Sequence, residues 1–158
     1  MVSLRKVKRE DCDFFWQYAN DASTRNASFL RPKQITHAEH LAWFDEKLSD
    51  PLIHFFVILN DNSMPVGQLR IDRTAEGSQE ALIHIGIAPQ FRGHGYACDA
   101  IKQGVVKIFA ETDITLIRAY IRPENKASEK TFSNAGFEYG GMEDHAGVHS
   151  IYRYVSKH

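Results

Sequence analysis

The feature that most constrains the fold is a buried strand that passes through a glycine turn into a helix. Residues 81–87 alternate, so that Ile83, Ile85 and Ile87 share one face while Leu82, His84 and Gly86 share the other. After Pro89 comes Arg92-Gly93-His94-Gly95-Tyr96-Ala97, and Ala97, Ile101, Val105 and Ile108 then recur at helical spacing in a stretch that runs through Ala110. A helix entered in this way leaves its first backbone N–H groups unpaired, and its macrodipole adds partial positive charge at the same place. Glycines at 93 and 95 remove side chains that would hold an anion away, and Arg92 adds a cation. The ligand expected is a phosphate or pyrophosphate, although a tight strand-to-helix turn would by itself ask for the same glycines. Gly93-His94-Gly95 continues as Tyr96, Ala97 and Cys98, so the run is not GxGxxG, and the chain has no GxxxxGK[ST]. Nucleotide hydrolysis and dinucleotide binding are disfavoured accordingly.

The flanking elements alternate in type. Val2, Leu4 and Val7 predict an edge strand, and Phe14, Phe15 and Tyr18 a helix near 11–20. Thr36 and Glu39 form a capping box ahead of Leu41, Phe44 and Leu48. Strands are expected at 54–59, 66–73, 115–121, 137–139 and 149–155, and a further helix at 126–135 stopped by Gly136. Turn-forming residues cluster at 60–65, 76–78, 89–95, 123–125 and 140–147. The sum is one mixed α/β (α+β) domain over residues 1–158.

A chain of 158 residues, 43% hydrophobic and 25% charged, can bury roughly two thirds of its unfolded surface around one core. Its net charge of −1 disfavours a nucleic-acid partner, which usually meets a strongly basic face. No apolar run approaches the roughly 20 residues that cross a bilayer, and residues 1–10 lack the hydrophobic stretch of a signal peptide. A cytoplasmic location without membrane association is expected. Cys12 and Cys98 have no CxxC or Cys/His ligand spacing, so neither a disulfide framework nor a metal site is anticipated.

Arg92-x-x-Gly95-x-Ala97, entered from a strand ending in Ala88-Pro89, closely resembles the acetyl-coenzyme A signature of the GNAT (Gcn5-related N-acetyltransferase) superfamily. Asn125-Lys126-Ala127-Ser128, then Phe132 and Gly136-Phe137, resembles the segment after that family's fifth strand. The resemblance implies a twisted, mostly antiparallel sheet of six or seven strands with about four helices, its fourth and fifth strands (81–87 and 115–121) splayed apart. It also implies acetyl-coenzyme A as donor. The pantetheine arm would pair with Ile85, Gly86 and Ile87, and the pyrophosphate would sit on the amides of Gly93, His94, Gly95, Tyr96, Ala97 and Cys98. Asn125 and Phe132 would border the arm, a plain helix N-cap being the alternative for Asn125.

Acetyl transfer to an amine needs a base, an oxyanion donor, positioning and a proton for the thiolate. His84, opposite the isoleucines, is the candidate base, since an imidazole with an ordinary pKa of about 6.5 suits the task; a packed structural imidazole is the alternative. A backbone N–H of 85–87 is the candidate oxyanion donor. Many GNAT enzymes place a Tyr four residues before the Gly of the Gly-Phe pair as general acid, where this chain has Phe132. Tyr139, Tyr152 or Tyr154 is expected to supply the proton instead, or solvent does, since a thiol pKa near 8.5 makes a tolerable leaving group.

Ser23-Thr24-Arg25-Asn26-Ala27-Ser28-Phe29, Ile35-Thr36 with His40 and Trp43-Phe44, and Gly67-Gln68-Leu69-Arg70-Ile71-Asp72 resemble GNAT proteins that acetylate nucleotide-linked amino-sugars of nonulosonic acid and surface-glycan pathways. On that resemblance Arg25 and Arg70 would meet a diphosphate, Asn26 and Gln68 sugar hydroxyls, and Trp43 a ring face. Trp43 also suits a core anchor and Arg70 a solvated strand position. A small-molecule amine is the expected partner, and a homodimer the expected assembly. Two rival readings are an N-terminal protein or ribosomal acetyltransferase and a non-catalytic acyl-coenzyme A sensor.

Overall fold

The computed structural model of the chain describes residues 1–19 and 36–157. Its strands are β1 (Ser3–Lys6), β2 (Ile53–Leu59), β3 (Pro65–Arg73), β4 (Glu80–Ile87), β5 (Leu116–Ile121), β6 (Glu138–His145) and β7 (Val148–Ser156). They form one sheet in the order β1-β2-β3-β4-β5-β7-β6, in which only the β4–β5 pair is parallel. The described helices are α1 (Cys12–Ala19), α2 (His37–Ser49), α3 (Tyr96–Glu111) and α4 (Lys126–Asn134). This is the mixed, mostly antiparallel architecture expected, with most boundaries within a residue or two of those read from the pattern. Among the described residues no helix is long and apolar enough to cross a membrane.

Alternation along the strands divides the apolar residues between two faces. Phe56, Ile58, Leu69, Ile71 and Ile83 pack with Ala100, Ile101 and Ile108 of α3. Phe55 and Val57, the intervening residues of β2, pack on the other face with Phe15 of α1 and Phe44 of α2. Helix α2 begins with the expected capping box: Glu39 N–H donates to Thr36 Oγ1 at 3.1 Å, and Thr36 N–H donates to the Glu39 carboxylate. Helix α4 ends at Gly136, whose φ of +95° lets its N–H reach the Ser133 carbonyl while the Phe137 N–H reaches that of Phe132.

The closing strands differ from the sequence expectation. Residues 140–147 read as a loop, yet β6 continues through Gly140 and Gly141 to His145. The glycines make a bulge instead of a stop: the register shifts between Tyr139 and Gly141, and a Cβ on Gly140 would lie 2.3 Å from the Tyr152 ring. The chain turns only at Ala146 and Gly147, both with positive φ, as a two-residue hairpin requires.

Gly67 is the tightest backbone approach in the sheet. A Cβ there would stand 2.2 Å from the Gly86 carbonyl oxygen, a backbone atom that cannot rotate away. Gly67→Ala should therefore cost about 1–3 kcal/mol of stability, as overpacking does. Urea denaturation would read it, and an unchanged midpoint would mean that β3 and β4 separate freely at this point.

Candidate active site

Strand β4 keeps company with β3 along most of its length, from Ala81 opposite Arg73 to Ile87 opposite Gly67. With β5 it pairs only at Glu80, Ala81 and Leu82, against Leu116, Ile117 and Arg118. Beyond Leu82 the strands part, while β5 stays paired to β7 along its whole length, from Leu116 opposite Ser156 to Ile121 opposite Ile151. The β5-facing backbone groups between His84 and Ile87 consequently have no strand partner. Ile85, Gly86 and Ile87 line this wedge.

The glycine turn stands at the open end of the wedge. Gly93 and Gly95 have φ of +85° and +77°, values natural to glycine, and Gly95 is the N-cap of α3 with no side chain capping the helix. A Cβ built on either would meet no atom within 4 Å. Arg92 is exposed, and its Nε donates to the Ile87 carbonyl at 3.0 Å, tying the turn to the end of β4. His94 and Tyr96 hold their rings 5.3 Å apart, and Ala97 and Cys98 are half-buried in the first turn of α3. Open N–H groups, no obstructing side chain and one anchored cation fit a pyrophosphate.

Asn125 caps α4, its Oδ1 accepting from the Ser128 N–H at 3.1 Å. Phe132 is 3% exposed and packs edge-on against Phe137, 5.1 Å between centroids. Its ring belongs to the core and carries no proton to give.

The face turned toward α1 and α2 holds the polar groups. Phe55, Arg70 and His84 lie in one row across β2, β3 and β4. Arg70, 8% exposed, donates from Nε to both Asp72 oxygens at 2.9 and 3.0 Å, and its guanidinium carbon lies 5.5 Å from the centre of the Trp43 ring. Asp72 Oδ2 is 3.4 Å from His84 Nε2. Burial alone would raise the Asp72 pKa, but contacts with His84 and Arg70 prevail and hold it below the usual carboxylate value. The His84 side chain keeps 35% of its surface accessible, yet protein atoms crowd it enough that desolvation, aided by Arg70 and His145, outweighs Asp72 and lowers its pKa below 6.5. The imidazole is therefore neutral at neutral pH.

Of the residues expected at the acceptor, Gln68 stands opposite Gly86 in the β3–β4 register, and Trp43 covers Arg70. Arg25 and Asn26 lie outside the described residues. Arg70 was expected either at a diphosphate or in solvent; it is buried and bound to Asp72, since a buried guanidinium needs a carboxylate partner.

A second wall faces His84 across the wedge. Leu82 stands opposite Arg118, so Tyr120, two residues on, is level with His84 and on the same face. The Tyr120 ring stacks on His145 with centroids 4.3 Å apart and on Tyr152 at 5.7 Å, and its hydroxyl donates to Glu143 at 2.9 Å. Tyr154 stacks on Tyr152, which also lies 5.2 Å beneath the Arg118 guanidinium. Burial raises the pKa of both Tyr120 and Tyr152, and lowers that of His145. Tyr139 is elsewhere: 56% exposed, it lies against Arg153, which bonds Glu129 of α4 and the Phe137 carbonyl. The structure thus puts Tyr152 and Tyr154 on the same sheet face as His84, beyond Tyr120 of β5, and Tyr139 on the opposite face. It adds Asp72, Tyr120, Glu143 and His145, which sequence reasoning did not single out. Strict alternation in β5, with Ile117, Ala119 and Ile121 inward, was the available signal for Tyr120.

A parallel pair that splays beside a glycine-capped helix agrees with the family model described as "Acetyltransferase (GNAT) domain", which matches residues 2–138. The chain belongs to the GNAT acetyltransferases. Among solved structures this GNAT protein is similar to the aminoglycoside acetyltransferase AAC(6')-Ib in complex with coenzyme A and kanamycin, at TM-score 0.87 and 16% identity over 99% of this chain and 95% of that one. It is also similar to spermidine N-acetyltransferase from Vibrio cholerae in complex with CoA and spermine, at TM-score 0.86 and 19% identity over 98% and 95%. No curated protein sequence matches the chain. As a GNAT acetyltransferase it takes acetyl-coenzyme A as acetyl donor, and the glycine turn and the wedge are the parts of the chain that suit it.

Gly95→Trp should weaken acetyl-coenzyme A binding by more than about tenfold, or 1.4 kcal/mol. The left-handed backbone adds about 1–2 kcal/mol of strain, for which Gly77→Trp is the control, as Gly77 has φ +79° and equally open surroundings in a remote turn. Calorimetric titration of both variants would read this; equal affinities would remove the turn from the binding site.

Proposed function

We propose that the protein transfers the acetyl group directly, in a ternary complex, to a primary amine of a small amino-sugar, and that this sugar is nucleotide-linked. The observation that carries the reading is a neutral imidazole, His84, set on the acceptor face at the margin of the β4–β5 wedge. Bound acetyl-coenzyme A supplies the thioester acyl group and the thiolate leaving group. Backbone N–H groups of Ile85 to Ile87 on the unpaired edge stabilise the charge that develops on the acyl oxygen. His84, neutral because its pKa is depressed, accepts the ammonium proton directly or through water. Tyr152, protonated because its pKa is raised, gives a proton to the departing thiolate, with solvent as the alternative source, and the second proton that nitrogen loses as the amide forms restores it through water.

Aromatic rings on both walls, Trp43 on one and Tyr120, Tyr152 and Tyr154 on the other, suit the apolar faces of a sugar, and Gln68 suits its hydroxyls. Recognition of a diphosphate rests on Arg25 and the 23–29 segment, because Arg70 is neutralised by Asp72. That neutralisation, together with Glu143 in the cleft, favours a second reading: an unphosphorylated polycationic amine, the kind of molecule named with both structural neighbours.

Coenzyme A release should be measured with nucleotide-linked amino-sugars, aminoglycosides, spermidine and N-terminal peptides. The highest kcat/KM is expected for a nucleotide amino-sugar; a preference for spermidine or an aminoglycoside would establish the second reading, and binding without turnover on any amine would mark a sensor. His84→Ala should lower kcat by about 10²-fold, most below pH 7 where the amine holds its proton hardest. In the native protein the imidazole keeps its lone pair to below pH 6.5, so its acid limb should fall there. Native rates across pH in the variant would exclude His84 as base.

A further inference from the structure

We infer that Asp72 and Arg70 act as a positioning pair for His84, Asp72 fixing which ring nitrogen bears the proton and Arg70 fixing Asp72. The inference rests on the reading of His84 as the general base. A carboxylate can only accept, and Asp72 Oδ2 approaches Nε2 of the ring at 3.4 Å. The neutral imidazole therefore carries its proton on Nε2 and presents its lone pair at Nδ1, which becomes the basic atom. Asp72 is held in turn: Arg70 Nε bonds both of its oxygens, while Trp43 covers the guanidinium. Arg70 stands directly opposite His84 in the β3–β4 register, so one cation and one anion on a single strand face the same ring.

The two charges pull on the ring in opposite senses. Asp72 favours the imidazolium and Arg70 disfavours it, as do burial and His145 of β6. Other charged or titratable groups on this side are Glu80 of β4, Arg118 and Tyr120 of β5, Glu143 of β6, and Tyr152 and Tyr154 of β7, which bind one another, with His40 and Lys47 of α2 beside Trp43. The result is a ring held neutral near neutral pH, with Asp72 opposing the groups that push its pKa down.

The test follows the His84 ring by nitrogen NMR and the pH dependence of kcat, in the native protein, Asp72→Asn and Arg70→Gln. The native ring should show the Nε2–H tautomer. Asp72→Asn should weaken that preference, move the ring pKa and the acid limb of kcat down by about one pH unit, and lower kcat at pH 7 about tenfold. Arg70→Gln should move both upward. If Asp72→Asn does not fold, Asp72→Glu and Arg70→Lys keep the buried charges paired; Asp72→Glu should retain the tautomer, and each should shift the acid limb less than its partner substitution. An Nδ1–H tautomer in the native protein, or shifts of the same sign in the two variants, would overturn the inference. Ring shifts as expected with an unmoved pH–rate profile would overturn instead the reading of His84 as base, and the positioning role with it.

Discussion

The parting of β4 from β5 after Leu82 and Arg118 is the constraint on which the site depends. Parallel strands in a closed ladder offer no backbone groups to a ligand. Here β5 is held to β7 along its length while β4 is held to β3, with Gly67 set hard against the Gly86 carbonyl, so the two strands are drawn to opposite sides. The gap is stable because each strand satisfies its other edge completely. It also brings side chains of distant origin into view of each other: His84 from one margin, Tyr120 from the other.

The chain's near-neutral charge conceals a strongly polarised interior. Around the wedge, Arg70 with Asp72 and Tyr120 with Glu143 form satisfied pairs, each covered by an aromatic ring. The first pair adds little net charge and, being largely buried, acts more strongly than it would at the surface, whereas the second keeps the Glu143 carboxylate's charge at the exposed rim.

Much of the fold was legible in local pattern. The Thr36–Glu39 capping box, the isoleucine alternation of β4 and the glycine turn that leads into α3 are each dictated within a few residues, and the structure places them as read. What escaped the pattern was decided by distant partners. Gly140 and Gly141 look like a stop until Tyr152 is seen to occupy the space that a side chain would need. Arg70 looks like a surface cation until α2 brings Trp43 over it, and Tyr139 looks equivalent to Tyr152 until the bulge between them sends the two to opposite faces. His84 could be placed on its face from the sequence; its carboxylate partner required the β3–β4 register.

The bond from Arg92 Nε to the Ile87 carbonyl joins the two halves of the cofactor region across five residues of chain. It is a clasp of fixed span, with the anion cradle at one end and the free strand edge at the other. The distance from the glycine turn to the end of β4 is thereby set by the chain itself, before any ligand arrives. The clasp makes the turn a ruler: on the function proposed above, binding of one distant group would carry over into alignment of the reacting one.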